Sequence, residues 1–144
     1  MFGPLLIVNA YTDHRNRRPQ DRFGHLCFLS ESNKNLLYQQ GTPVELCLTS
    51  NLVSCASTIP DYGSHHFGIH HPHHPVALCT DDSAVFGTTL SHEYAMAMAA
   101  FNLDEQSTLA LARQALGMSF LRPSSPTYRE VEKRLDASQV TNTT

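Results

Sequence analysis

Three groups of residues in this chain carry side chains that can do chemistry. Asp81 and Asp82 stand side by side at the end of an apolar run, residues 76–82 (VALCTDD). On a strand, neighbouring side chains point to opposite faces. The two carboxylates would then do different jobs, one entering a site and the other reaching a loop or a second ligand. Acidic residues after an apolar strand also stand where α/β folds place catalysis. The competing reading is an ordinary acidic turn in which an aspartate caps a helix. His25 is the second candidate. It lies within FGHLCF, beside Gly24, and a glycine next to a strand histidine lets a ligand or another backbone approach closely. The competing reading is a buried histidine held by hydrogen bonds. The third group is residues 64–75 (SHHFGIHHPHHP), with six histidines. Imidazoles at this density can bind zinc, copper or nickel weakly. A dedicated site needs fixed geometry and outer hydrogen-bond partners, whereas Pro72 and Pro75 make the segment irregular. The expectation is a surface loop or short irregular helix, not a preformed metal cage.

The elements that must position these residues fall into two parts. Residues 21–29 (DRFGHLCFL), 44–50 (VELCLTS) and 76–82 read as strands. A short helical pattern over residues 33–40 ends at Gly41, a C-terminal stop. Strands separated by connections this long suggest parallel βαβ units. Residues 91–138 read as helical. Leu90, Tyr94, Ala97, Met98 and Phe101 recur at spacings of three and four, as do Leu109, Ala112, Leu116 and Phe120 after Asp104 as N-cap. Ser125 caps a last helix with Pro126 in its first position and Glu130–Arg134 as an i,i+4 ion pair. Residues 1–19 do not follow this rhythm, and residues 14–22 (HRNRRPQDR) read as a solvated basic loop. A polar tail occupies residues 139–144.

Composition narrows the class of protein. With 144 residues the chain makes one modest domain and is too short for a closed (β/α)₈ barrel, which takes about 200 or more. Apolar residues at 41% and charged residues at 16% describe a globular chain. A net charge of −3 argues against binding nucleic acid by phosphate neutralisation. No apolar run is long enough to span a membrane, and residues 5–8 are a poor signal segment. Cys27, Cys47, Cys55 and Cys79 form no Cys-x-x-Cys pair, which points to reduced thiols in a cytoplasmic compartment rather than a disulfide framework.

The ordered set DRFGHLCFL, VELCLTSN, HHFG and HPVALCTDDSAVFGTTLSHEYAMAMAAFNL resembles the adenosine deaminase family, and most closely its adenosine deaminase-like branch, which acts on N6-methyl-AMP. The motifs cover residues 20–103, with weaker similarity to about residue 135. The resemblance implies the C-terminal part of a metal-dependent (β/α)₈ barrel, with three to four strands, the sixth to eighth of the barrel among them, and C-terminal helices over residues 20–138. It implies zinc-dependent hydrolytic deamination of a purine nucleoside or nucleoside monophosphate. By the same resemblance Asp81 is a zinc ligand, Asp82 contacts the purine, and His25 orients the attacking water.

The departures are specific. The family's Gly-His-Gly segment is Gly24-His25-Leu26 here. No His-x-His pair lies on an early strand; His71 and His73 have that spacing but flank Pro72 in the histidine-rich segment. Residues 1–20 contain no match to the fifth-strand segment that supplies another zinc ligand and the proton-donating glutamate. One zinc ligand of four is therefore matched. Three or four barrel strands would leave apolar edges uncovered, so self-association is expected. The alternative to an enzyme is a non-catalytic barrel fragment with a binding or regulatory role.

Overall fold

The computed structural model describes residues 22–140. The expected segment 1–19, the run at residues 5–8, most of the basic loop and the last four tail residues lie outside them. Three parallel strands, β1 (Phe23–Gly24), β2 (Val44–Leu46) and β3 (Val76–Leu78), form an open sheet in the order β1-β2-β3. The connection from β1 to β2 carries α1 (Glu31–Gln40). Between β2 and β3 run α2 (Leu48–Ser54), a 3₁₀ turn at Tyr62–Ser64 and α3 (Phe67–His70). After β3 come α4 (Ser83–Phe86), α5 (Leu90–Phe101), α6 (Glu105–Gly117) and α7 (Pro126–Val140).

Strand–helix alternation is what a parallel sheet requires, because each crossover must return the chain to the same end. The sheet is apolar throughout its centre: Val44, Leu46, Val76 and Leu78 are buried, and Leu37, Leu48, Phe67, Ala97 and Leu111 close over them. The caps follow the side-chain chemistry. Ser30 accepts from the Asn33 N–H, Asp104 from the Ser107 N–H and Ser125 from the Tyr128 N–H. Gly41 ends α1 at φ 64°. Arg134 reaches Glu130 at 2.9 Å, and Arg113 ties α6 to α7 through Asp136 at 2.6 Å.

Several segments differ from the sequence reading. The strand expected over residues 21–29 is two residues long, because the chain turns out of the sheet at His25. The strand expected over 44–50 stops at Leu46 and becomes α2. Here a distant group overrides local β preference: the buried Glu93 carboxylate accepts the Thr49 N–H at 3.1 Å in the first turn of α2. The strand expected over 76–82 ends at Leu78, so Asp81 and Asp82 sit in the turn beyond it and not on opposite strand faces. Helix α5 turns Glu93 and Ala97 inward and leaves Leu90 exposed, and α6 buries Leu111 rather than Leu109. Helix α7 runs on to Val140, into the expected tail.

Candidate active site

All three strands deliver their C-terminal ends to one edge of the sheet, the edge at which parallel α/β folds build sites. Just past β1, the Leu26 N–H bonds to the Gly24 carbonyl at 2.9 Å across His25, which has φ 65°. This is a γ-turn of the strained, positive-φ hand. Leu26 follows at φ 50°, and past β3 Asp81 has φ 56°. Of four non-glycine residues with positive φ among the described residues, three are therefore here; the fourth, Asn102, ends α5. Such backbone is held only where surrounding structure over-determines it.

The turns bring His25 and Asp81 together: Nε2 of His25 lies 3.8 Å from Oδ2 of Asp81. Both side chains are partly open, 44% and 38% exposed, so an approaching molecule can reach them. Behind them stands a set of buried groups from α2, from the two residues that lead into α3, and from α5. The Ser50 hydroxyl donates to Asp81 Oδ2 at 2.6 Å. The Asn51 amide donates from Nδ2 to His25 Nδ1 at 2.9 Å, and its Oδ1 lies 3.1 Å from His65 Nε2. His66 Nε2 bonds to the His25 carbonyl and so holds the γ-turn from below. Glu93, fully buried, accepts from Thr88 Oγ1 at 2.6 Å as well as from Thr49, which fixes the start of α2 and with it Ser50 and Asn51.

Asp82 performs the capping role that was the competing reading of the pair: its Oδ1 accepts the Val85 N–H at the start of α4. Its carboxylate is exposed beside Asp81. Gly24 answers no backbone contact, since a Cβ there would meet nothing within 4 Å. That leaves open space next to His25.

The histidine-rich segment takes the second of its two expected forms, a short helix at Phe67–His70, but four of its imidazoles are inside: His65, His66, His70 and His74 are all buried. Several of their nitrogens meet protein groups, while His66 Nδ1 is buried without a hydrogen-bond partner among the described residues. His65 Nδ1 accepts the Phe67 N–H at 2.9 Å, His70 Nδ1 meets Tyr38 Oη at 3.0 Å, and His74 Nε2 donates to the Thr42 carbonyl at 2.7 Å. Burial depresses their affinity for a proton, His65 to about 3 and His70 to about 4, with neighbouring imidazoles adding to the effect. Ser50, Asn51 and Glu93, which support the His25–Asp81 pair, were not among the candidate residues in the sequence, and His65 and His66 were candidates only as part of the histidine-rich segment. The signal for the histidines was Phe67 at the centre of HHFG, an aromatic that must be buried and takes its neighbours inside.

Among the described residues no group of three or more His, Cys, Asp or Glu side chains is arranged to hold a metal ion. Asp81 fits as one carboxylate ligand; the described residues do not complete a metal site. The four cysteines are free thiols. Burial pushes Cys27 and Cys47 up to about 12 and Cys79 up to about 11, which makes them poor nucleophiles.

A parallel sheet with His, Ser, Asn and Asp gathered beyond its strand ends is an α/β arrangement of the kind that builds sites at that edge. The chain belongs to the adenosine deaminase family, whose model matches residues 13–137, and the family match makes the sheet part of a (β/α)₈ barrel. It is 43% identical over 100 residues to an N6-mAMP deaminase of Arabidopsis thaliana, covering 69% of this chain and 28% of that protein. It is 39% identical over 121 residues to the human N6-methyl-AMP deaminase, covering 79% of this chain and 33% of that protein. The apo structure of the Arabidopsis N6-methyl-AMP deaminase superposes with a TM-score of 0.73 at 36% identity, over 84% of this chain and 35% of the other. Arabidopsis ADAL complexed with IMP gives a TM-score of 0.72 at 36% identity, over 81% and 34%. The chain thus spans about a third of the length of the relatives it matches. No helix among the described residues is long and apolar enough to cross a membrane.

Proposed function

We propose that this chain supplies one edge of a zinc-dependent site for hydrolytic deamination of a 6-aminopurine nucleoside or nucleotide, of the adenosine or N6-methyl-AMP type, in cytoplasmic purine nucleotide metabolism. The observation that carries the reading is the convergence of His25 and Asp81 at 3.8 Å on the C-terminal edge of the sheet. Similarity to N6-methyl-AMP deaminases, and to structures of ADAL with IMP and with GMP, supports a purine nucleotide as the ligand.

In this reading His25 holds the attacking water through Nε2. Asp81 is one metal ligand, with Ser50 fixing the carboxylate that must point at the ion. Asp82 spends one oxygen on the α4 cap and reaches the purine with the other. The remaining ligands and the acid that protonates the departing amine are not among the described residues, so the proposal requires the rest of a barrel.

A chimera tests it. Residues 22–137 replace the matching third of the Arabidopsis N6-mAMP deaminase, and methylamine release from N6-methyl-AMP is measured in added zinc. Turnover is expected, with Asp81→Asn and His25→Ala each lowering it by about 10²-fold or more. A chimera that folds and releases no methylamine overturns the reading. It would favour the second one, a non-catalytic barrel fragment with a binding or regulatory role. That reading draws on the incomplete metal-ligand set.

A further inference from the structure

We infer that His65 and Asn51 are positioning residues that fix which nitrogen of His25 carries its proton. Four groups lie in series. The first is the Phe67 backbone N–H, a donor that cannot reverse. It bonds to His65 Nδ1 at 2.9 Å, so that nitrogen is bare. A neutral imidazole keeps one proton, which therefore sits on Nε2. His65 is neutral because it is 2% exposed and burial holds its proton affinity far below the ordinary value. The Nε2–H must face an acceptor, so the Asn51 atom 3.1 Å away is the amide oxygen. The amide nitrogen then points to His25 Nδ1 at 2.9 Å, and because it can only donate, that nitrogen is bare too. Turning the Asn51 amide over would set its NH₂ against His65 Nε2 and demand an imidazole bare at both nitrogens. The backbone thus dictates the tautomer of His25 through two buried side chains.

The consequence lies at the open end. Neutral His25 carries its proton on Nε2, the nitrogen directed toward Asp81. It enters the site as a hydrogen-bond donor that orients an oxygen, not as a bare nitrogen that strips a proton from one. The positioning role rests on the proposed deaminase reading; the tautomer does not, because it follows from the hydrogen bonds alone.

The test is nitrogen-15 NMR of the full chain labelled at histidine, at about pH 8.5, two units above the ordinary imidazole value of about 6.5. His25→Gln assigns the His25 signals. The expected result is a pyridine-type Nδ1 and a pyrrole-type Nε2 on His25. Asn51→Asp replaces the donor with an atom that only accepts, at the same shape, and should transfer a proton to His25 Nδ1. His65→Gln can accept from Phe67 with its oxygen and donate to Asn51 with its nitrogen, so the wild-type pattern should persist. A wild-type His25 with Nδ1 protonated or with averaged tautomers overturns the inference, as does an Asn51→Asp chain whose Nδ1 stays bare. If Asn51→Asp does not fold, the wild-type and His65→Gln spectra still decide. A correct tautomer with an inactive chimera would reject the deaminase reading and leave the relay standing.

Discussion

The side chains of His25 and Asp81 meet at 3.8 Å although each belongs to a different strand end, and both residues have backbone in the left-handed region. Aspartate and histidine are among the side chains that visit that region most readily; leucine does so at greater cost. The turn after β1 places two such residues in succession, His25 and Leu26, where the family pattern has a glycine at the second.

Leu26 should therefore invert the usual order of Ala and Gly. Truncating it to either residue removes the same packing against the core, where Leu26 is half-buried. Alanine keeps the positive-φ penalty and glycine relieves it, by about 1 kcal/mol. Leu26→Gly should be more stable than Leu26→Ala by that amount in chemical denaturation. Alanine proving the more stable would show that the turn is not held as described.

The residues at the strand ends were legible in the sequence, but their support was not. Asp81 and His25 could be found because the motifs around them are contiguous. The helix caps were legible for the same reason, since Asp104, Ser125 and Gly41 act within a turn of their own position. Glu93 is different. Nothing in LSHEYAMAM marks a glutamate as buried; its partners Thr49 and Thr88 come from other elements. The end of β2 at Leu46 is hidden for the same reason, because the start of α2 depends on that carboxylate. The histidine-rich segment was read by composition, whereas its burial is decided by Phe67 entering the core.

Glu93 is expected to be one of the least replaceable residues in the chain. Alanine would leave the Thr49 N–H and the Thr88 hydroxyl without an acceptor in a fully buried place. The cost should be about 2–4 kcal/mol or more, allowing for two stranded groups. Glutamine keeps one carbonyl oxygen and should cost less than alanine. Thermal melting of the two variants checks the order. Loss of the Asn51–His25 contact, seen as increased tautomer averaging of His25, should accompany Glu93→Ala.

The open sheet carries a prediction about association. Strands β1 and β3 each pair on one side only within the described residues, and unpaired strand edges recruit further strands. Exposed apolar side chains, Phe28 in the turn after β1, Val85 in α4 and Leu90 at the start of α5, add surface that association would bury. Sedimentation of the isolated chain should show concentration-dependent self-association. A monodisperse monomer at high concentration would mean that the edges are covered within the chain itself.

Acid should unfold this protein earlier than carboxylate titration alone would. His65, His66, His70, His71 and His74 all have proton affinities lowered mainly by burial, His65 to about 3 and His70 to about 4 from an ordinary 6.5. In the unfolded chain each regains the ordinary value. Below about pH 6.5 the unfolded state therefore binds more protons than the folded one, and stability rises with pH across that range. It is fully present above the unfolded value and is lost as the pH falls toward the folded values. Each imidazole held neutral contributes a slope of about 1.4 kcal/mol per pH unit in this window. The aspartates with lowered proton affinity, Asp61 and Asp104, start from 3.8 and act only at lower pH. The melting temperature should be nearly level above about pH 7 and drop steeply between pH 6.5 and 5. His65→Gln, which preserves the Asn51 orientation but cannot titrate, should make that drop shallower by about one proton. A melting temperature that stays level down to pH 5 would show that these imidazoles take up protons without unfolding the chain, and that the HHFG segment is less firmly buried than its contacts require.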